Sequence, residues 1–236
     1  MTNLTAYQLT QLHSNGVYTT VPEHPLITLA ALQNQEHVDE FLTVVQAVSG
    51  SPNKTVAASF FMRRYGMFTA MQLWQFISYE ELWHGRPEEL VFGAVEEFGN
   101  RTVSAFPLPE AWGETTMGER NSVVRGLLQQ IHSVIESLRS VSSISAKVLW
   151  ENVFGFWLWQ FHVLMQSPET AKDARLVLDC LKEDASWEGV AGCSEFARYL
   201  QGCEPSQLLN TVVRKTCCLS KDVPGLMQCG FCPLKR

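Results

Sequence analysis

The sequence lacks cysteine over most of its length. The first cysteine is Cys180, and four of the seven lie between Cys217 and Cys232. A chain of 236 residues can bury a hydrophobic core without covalent cross-links, so we exclude a small disulfide-stapled scaffold. Charged residues are also scarce at 18%, whereas hydrophobic residues reach 46%. This balance excludes an intrinsically disordered chain and is typical of a globular protein.

Long uninterrupted apolar runs are absent as well. The most apolar stretch, VFGFWLWQFHVLM (153–165), contains Gln160 and His162, whereas a membrane-spanning helix needs about 18 or more apolar residues. The first residues have neither the basic nor the apolar region of a secretory signal. We therefore expect a cytoplasmic protein without a transmembrane segment, in a compartment where thiols stay reduced.

Basic residues are concentrated at the C-terminal end. The net charge is -6, which argues against nucleic acid as a partner. Residues 212–236, called the cysteine tip below, nevertheless carry five basic residues against one acidic residue: Arg214, Lys215, Lys221, Lys235 and Arg236 against Asp222. An acidic body therefore ends in a basic, cysteine-rich segment.

The spacing of apolar residues predicts a mainly α (α+β) fold. Helices are predicted over about 35–48, 52–80, 124–138, 144–166 and 168–181, followed by two shorter ones before Arg214. Ser51 is expected to cap the second helix, with Pro52 in its first turn. Residues 90–106 instead predict two strands around a tight turn at Gly99-Asn100. The expected architecture is a helical core with a small antiparallel β element in the first half.

The segment PLPEAWGETTMGE (107–119) is rich in Pro, Gly and small polar residues, which is typical of a junction. On this interpretation, residues 1–110 form an N-terminal lobe of helices and the small sheet. Residues 111–236 then form a C-terminal helical lobe that carries the cysteine tip. One continuous domain is the alternative.

The clustered cysteines allow four interpretations, and two of them are weak. Disulfides are disfavoured because adjacent cysteines strain any bridge between them and the expected compartment is reducing. A thioredoxin-like dithiol at Cys229 and Cys232 normally needs a following helix to lower the thiol pKa, and Pro233 starts a segment too short for one. A structural zinc site is stronger, but Cys217 and Cys218 lack the spacer that zinc ligand pairs usually have.

The fourth interpretation is an iron–sulfur cluster held by four thiolates. A 2Fe-2S unit offers two metal positions, so it accommodates adjacent ligands more easily than one zinc ion does. Pro224-Gly225 supplies a turn in the ten-residue loop between Cys218 and Cys229, and Gly230 lets the backbone approach the sulfurs. Basic residues nearby would stabilise the more negative, reduced form.

The cysteine spacing resembles the pattern of the FhuF-like ferric siderophore reductases. Their hallmark is a C-terminal Cys-Cys-x10-Cys-x2-Cys pattern that ligates a 2Fe-2S cluster, and this chain matches it at Cys217, Cys218, Cys229 and Cys232. Leu149, Trp150 and Asn152 are similar to the family's Leu-Trp-x-Asn signature. The chain departs from many relatives at 220–222, where Ser-Lys-Asp replaces an aromatic and basic pair. The resemblance therefore implies nothing about substrate or donor contacts from that loop.

The resemblance implies an enzyme, a ferric-chelate reductase that transfers one electron to a ferric siderophore and so releases ferrous iron. Hydroxamate-like chelates hold ferric iron far more tightly than ferrous iron, so no bond within the chelator needs to break. The four cysteines are implied as the cofactor and metal ligands, and no catalytic acid, base or nucleophile is assigned. The implied partners are the ferric siderophore and an electron donor, such as a ferredoxin or a flavin or NAD(P)H reductase.

Two other functions are compatible with the same cysteines. One is a helical binding protein whose tip is stapled by structural zinc. The other is an iron–sulfur redox sensor or electron carrier. A sensor usually carries an effector module such as a helix-turn-helix, and the acidic body shows no basic recognition helix.

Several other residues have simpler expected roles. Arg63 and Arg64 could contact an anionic substrate, but one is expected to pair with a carboxylate and the other to reach solvent. Asn152 is expected to make a buried polar contact and, through the family signature, to support the cysteine tip. Cys180, Cys193 and Cys203 are expected to be small buried hydrophobes. Six aromatic residues could line a chelate pocket but are expected mainly in the core: Trp150, Phe154, Phe156, Trp157, Trp159 and Phe161.

Overall fold

The structure, a computed structural model, describes residues 4–97 and 100–234. This part of the chain contains eight α-helices and five short strands, so the prediction of a mainly helical fold with a small antiparallel sheet is confirmed. The helices are α1 Ala6–Ser14, α2 Gln35–Ser49, α3 Lys54–Tyr79, α4 Arg120–Ser140, α5 Ala146–Gln166, α6 Ala171–Lys182, α7 Glu195–Leu200 and α8 Pro205–Leu208. The strands are β1 Pro25–Thr28, β2 Glu81–Trp83, β3 Leu90–Glu97, β4 Asn100–Pro107 and β5 Trp112–Glu114. None of the described helices combines the length and apolarity needed to cross a bilayer.

The main sheet has three antiparallel strands in the order β1-β3-β4. β3 and β4 form the predicted hairpin, in register from Leu90 opposite Pro107 to Glu97 opposite Asn100. The tight turn predicted at Gly99-Asn100 includes Gly99, which lies outside the described residues. The sheet packs on α3 through Phe92, whose ring centroid is 4.9 Å from that of Phe61.

A second sheet was not predicted. β2 and β5 pair antiparallel with Trp83 opposite Trp112, so the segment predicted as a junction contains a strand. Three residues are too few to show an alternating pattern in the sequence.

The start of α3 differs from the prediction. Asn53, not Ser51, is the N-cap, and its side chain accepts a hydrogen bond from the backbone N–H of Val56 at 3.0 Å. Ser51 is buried instead, with its hydroxyl 2.7 Å from that of Ser49. Asn and Ser cap helices about equally well, so propensity alone does not choose between Asn53 and Ser51 as the N-cap. The Ser51 hydroxyl bonds to Ser49 instead, and Asn53 takes the capping position.

The centre of the molecule is the contact between α3 and α5. A Cβ at Gly66 of α3 would lie 3.0 Å from Cα of Val153 on α5, so glycine permits the close crossing of the two helices. Trp157 is fully buried and donates a hydrogen bond to Thr69 of α3 at 3.1 Å. One continuous hydrophobic core therefore includes residues from both predicted lobes.

The aromatic residues of α5 are mostly core residues, as predicted. Trp150, Phe154, Trp157 and Phe161 are buried, and Phe156 is half-buried. Trp159 is the exception, because 52% of its surface is exposed.

Candidate functional site

The cysteine tip lies against α3 and α5. The Ser59 hydroxyl on α3 donates a hydrogen bond to the backbone carbonyl of Cys218 at 2.7 Å. On α5, a Cβ added to Gly155 would lie 3.6 Å from the ring of Phe231, which stands between the last two cysteines. The two central helices thus form the platform on which the tip rests.

Glu151 on α5 fastens the segment that leads into the first two cysteines. Its buried carboxylate accepts the backbone N–H groups of Lys215 at 3.1 Å and Thr216 at 2.9 Å. The Thr216 hydroxyl also donates to it at 2.5 Å. Glu151 is the unassigned position of the Leu-Trp-x-Asn signature, and its role was not predicted. A carboxylate on an otherwise apolar buried helix could have indicated it, since buried charges require partners.

Arg214 supplies the opposite charge. It is buried beside Glu151, with Nε 3.7 Å from the Glu151 carboxylate. Its guanidinium also donates to the backbone carbonyls of Glu151 at 3.2 Å and Thr216 at 3.2 Å. One of the five basic residues of the tip is therefore structural, and Lys235 and Arg236 lie outside the described residues.

Asn152 acts on the tip through one intermediate residue. Its amide donates to the backbone carbonyl of Ser59 at 3.0 Å and to the Ser59 hydroxyl at 2.9 Å. Ser59 in turn holds Cys218. The predicted buried polar contact of Asn152 is confirmed, and the link to the cysteine tip runs by way of α3.

Two of the four thiols are brought together by the fold. Cys218 and Cys229, separated by the ten-residue loop, lie near enough for each thiol to shift the pKa of the other. Cys218 is buried, and its Sγ also lies 3.2 Å from the Ser220 hydroxyl. Both sulfurs belong to the predicted ligand set.

Backbone N–H groups are directed at three of the sulfurs in the same way. Leu219 N–H donates to Cys217 Sγ at 3.4 Å, the backbone N–H of Ser220 helps to lower the pKa of Cys218, and that of Phe231 opposes the rise in the pKa of Cys229. In each case the donor follows its cysteine by two residues. N–H dipoles aimed at sulfur stabilise the thiolate form that binds metals.

The paired sulfurs have divergent acidities. The hydrogen bond from the Cys229 thiol lowers the pKa of Cys218 to about 4, against the opposing effect of burial, and Ser220 and Arg63 contribute further. The same hydrogen bond, together with burial, raises the pKa of Cys229. The two thiols are therefore expected to titrate as a coupled pair, in which Cys218 ionises more readily than Cys229.

Arg63 faces this sulfur pair, which corrects the prediction that it would extend into solvent. It is only partly exposed. Burial lowers its pKa, while the charges of Cys218 and Cys229 favour its ionised form. The guanidinium remains charged at neutral pH. Among the described residues it has no carboxylate partner.

Arg64 has the structural role predicted for one of the two arginines. Its guanidinium binds the Glu97 carboxylate at 2.6 Å and the Val103 carbonyl at 2.8 Å. Burial raises the pKa of Glu97, but the charge of Arg64 and three hydrogen bonds outweigh burial, so the net pKa is lowered. This pair ties α3 to the hairpin.

The remaining three cysteines differ in burial. Cys180 on α6 is buried, as predicted, and its thiol donates a hydrogen bond to the side-chain oxygen of Asn121, with an Sγ to Oδ1 distance of 3.2 Å. Cys193 and Cys203, in the loops on either side of α7, are only half-buried, so the prediction of full burial is wrong for them.

The four cysteines of the tip fit a thiolate-bound cluster in their chemistry. The fit comprises the sulfur ligands themselves, the N–H donors on three of them, and the cation beside the central pair. The positions of their side chains do not form a metal site in this structure. Within residues 4–97 and 100–234, no three His, Cys, Asp or Glu side chains converge closely enough to hold a metal ion. Binding of a metal by all four cysteines therefore requires their side chains to converge more closely than they do here.

Comparison with known proteins adds no assignment. No family model matches the chain, and no curated protein matches it.

Proposed function

We propose that this protein is a ferric siderophore reductase. It would bind a 2Fe-2S cluster through Cys217, Cys218, Cys229 and Cys232 and reduce ferric iron in a hydroxamate-like chelate, so that ferrous iron is released. A bound 2Fe-2S cluster supplies single electrons. The observation that carries the proposal is the meeting of Cys218 and Cys229, matched in spacing to the reductase pattern, beside Arg63.

The surrounding residues have supporting tasks in this proposal. Backbone N–H groups and Arg63 stabilise negative charge on the sulfurs. Glu151 and Ser59 hold the two ends of the Cys217-Cys218 segment against the central helices. A proton donor or nucleophile is not required. Oxygen ligands bind ferrous iron more weakly than ferric iron, so reduction alone is enough to release the metal.

The proposal also includes a cellular compartment and an electron donor. The protein would work in the cytoplasm, where thiols stay reduced. Its electron donor would be a ferredoxin or a flavin or NAD(P)H reductase. The exposed Lys215 and Lys221 of the tip would favour an acidic donor or an anionic chelate.

Electron transfer to a ferric chelate tests the proposal directly. Anaerobically purified protein should contain iron and acid-labile sulfide, be red-brown, and bleach with dithionite. After removal of excess dithionite, a ferric trihydroxamate should restore the colour while a ferrous-specific chelator reports one ferrous ion per electron. A colourless, zinc-containing protein would support the binding-protein alternative instead. A cluster that ferric chelates fail to reoxidise would support a sensor or carrier.

The Arg63→Met variant is expected to lower the reduction potential of the cluster. Two unit charges about 6–10 Å apart interact by about 2–3 kcal/mol at an effective dielectric of about 20, which corresponds to about 100 mV for one electron. Removing the cation disfavours the more negative reduced state. A redox titration followed by electron paramagnetic resonance measures the shift.

The matched control for Arg63 is Lys221→Met. Lys221 belongs to the same tip but is exposed, so solvent screens its charge and the shift should be much smaller. Equal shifts for both variants, or none for Arg63→Met, would contradict the electrostatic role of Arg63.

A further inference from the structure

A cavity of about 750 Å³ opens beside the cysteine tip. Its walls come from α4, α5, α7 and the first residues of the tip. Sites for small-molecule ligands typically measure roughly 300–1,000 Å³. The cavity is thus large enough for one metal chelate.

The cavity and the cysteines share a wall. Lys215 lines the cavity and precedes Cys217 by two residues, so their Cα atoms lie within about 7 Å of each other. Glu151 also lines the cavity while its carboxylate holds the backbone of Lys215 and Thr216. A ligand in the cavity would therefore lie next to the segment that carries the first two thiols.

The inner surface of the cavity is aromatic. Trp150 stacks on Phe154 with ring centroids 5.5 Å apart, and Tyr199 lies 5.4 Å from Phe154. All three residues are buried and line the cavity. The Tyr199 hydroxyl is also buried and has no hydrogen-bond partner among the described residues. Because this oxygen is inaccessible, the aromatic rings and not the hydroxyl form the surface that a ligand would contact.

The rim of the cavity has an excess of positive charge. Arg139 pairs with Glu136 at 2.7 Å and Arg198 pairs with Glu195 at 2.8 Å. The negative charge of Glu151 is compensated by Arg214 and by the backbone N–H groups that donate to its carboxylate. Two exposed rim residues, Lys147 and Lys215, have no ion pair within the described ranges.

The net charge of the iron complex divides hydroxamate chelates into two classes, neutral and anionic. Three hydroxamates each carry one negative charge and neutralise Fe(III), so a simple trihydroxamate complex is uncharged. A chelator that adds carboxylates, such as a citric acid dihydroxamate, keeps a net negative charge on its iron complex. Only the second class gains from two unpaired lysines.

We propose that this cavity is the chelate-binding site and that Lys147 and Lys215 select anionic, carboxylate-bearing ferric hydroxamates over neutral ones. This inference rests on the proposed reductase function and names its substrate class. The aromatic inner surface contacts the chelator backbone, the lysines bind its carboxylates, and the iron centre lies toward the Lys215 side, next to the cysteine tip.

Binding of redox-inert gallium(III) complexes tests the inference without electron transfer. Calorimetry with the intact, cluster-containing protein should show tighter binding of the gallium complex of a citric acid dihydroxamate than of a neutral trihydroxamate. Reversing both charges, Lys147→Glu with Lys215→Glu, should weaken binding of the anionic complex about 10-fold or more, since each exposed charge contact is worth up to about 1 kcal/mol. Binding of the neutral complex should stay unchanged.

Lys172→Glu on α6 is the matched control. Lys172 is exposed and does not line the cavity, so its reversal should leave both affinities unchanged. Equal affinity of the wild-type protein for the two gallium complexes would overturn the inference, as would an unaltered preference in the double variant.

Failure of the two proposals can be told apart. Selective gallium-complex binding that depends on the lysines, without ferrous release from the iron complexes, would reject the reductase function and retain the cavity as a chelate site. Ferrous release with an unchanged preference in the double variant would reject the cavity assignment and retain the reductase.

Discussion

Cys229→Ser is expected to abolish cluster binding. The anaerobically purified variant should lose most of its iron and labile sulfide, together with its visible absorbance. Serine keeps its proton at neutral pH and lacks the soft thiolate that holds iron in such clusters. The change also removes the thiol that acts on Cys218 across the ten-residue loop. Metal and sulfide analysis with electron paramagnetic resonance measures the loss.

Cys193→Ser is the control for this loss. Cys193 is also a partly exposed free thiol, and it lies in the loop before α7, outside the tip. The variant should keep the full iron and sulfide content of the parent protein. Equal losses from both variants would contradict the ligand assignment.

The elements predicted from the sequence are those whose burial follows a regular period. α2 and α4 each bury one stripe of apolar residues, and such a stripe specifies a helix over many turns. β2 and β5 have three residues each and are specified mainly by the partner strand. Their pairing depends on contacts between distant parts of the chain, which a local pattern does not encode.

At the candidate site, the sequence predicts the four cysteines proposed as ligands but not the residues that support them. Cysteine spacing is a local property, so the sequence locates the four thiols. Their supports come from far away in the chain: Ser59 and Cys218 are 159 positions apart, and Arg63, which interacts with Cys218 and Cys229, also lies on α3. Arg63 and Arg64 are adjacent in sequence. The residues around them do not indicate that Arg63 interacts with the cysteines and that Arg64 pairs with Glu97.

Glu151→Ala is expected to destabilise the metal-free, reduced protein by about 3–5 kcal/mol. The change leaves Arg214 as an unpaired buried cation and removes the acceptor of three hydrogen bonds from Lys215 and Thr216. This loss is a large fraction of the roughly 5–15 kcal/mol that stabilises a typical domain. Urea unfolding followed by circular dichroism gives the free energy of unfolding. Glu188→Ala, at an exposed glutamate, should change it by less than about 0.5 kcal/mol.

A double variant separates the two roles of Glu151. Glu151→Met combined with Arg214→Met removes the unpaired cation, so the protein should regain much of the stability that Glu151→Ala loses. The N–H groups of Lys215 and Thr216 lack their acceptor in both variants, so we expect low iron retention in Glu151→Ala and equally low retention in the double variant, whose stability recovers. If the stability losses of Glu151→Met and Arg214→Met, each measured alone, simply add in the double variant, the buried pair does not interact. If iron retention recovers with stability, Glu151 holds the fold and has no separate role in placing the cysteines.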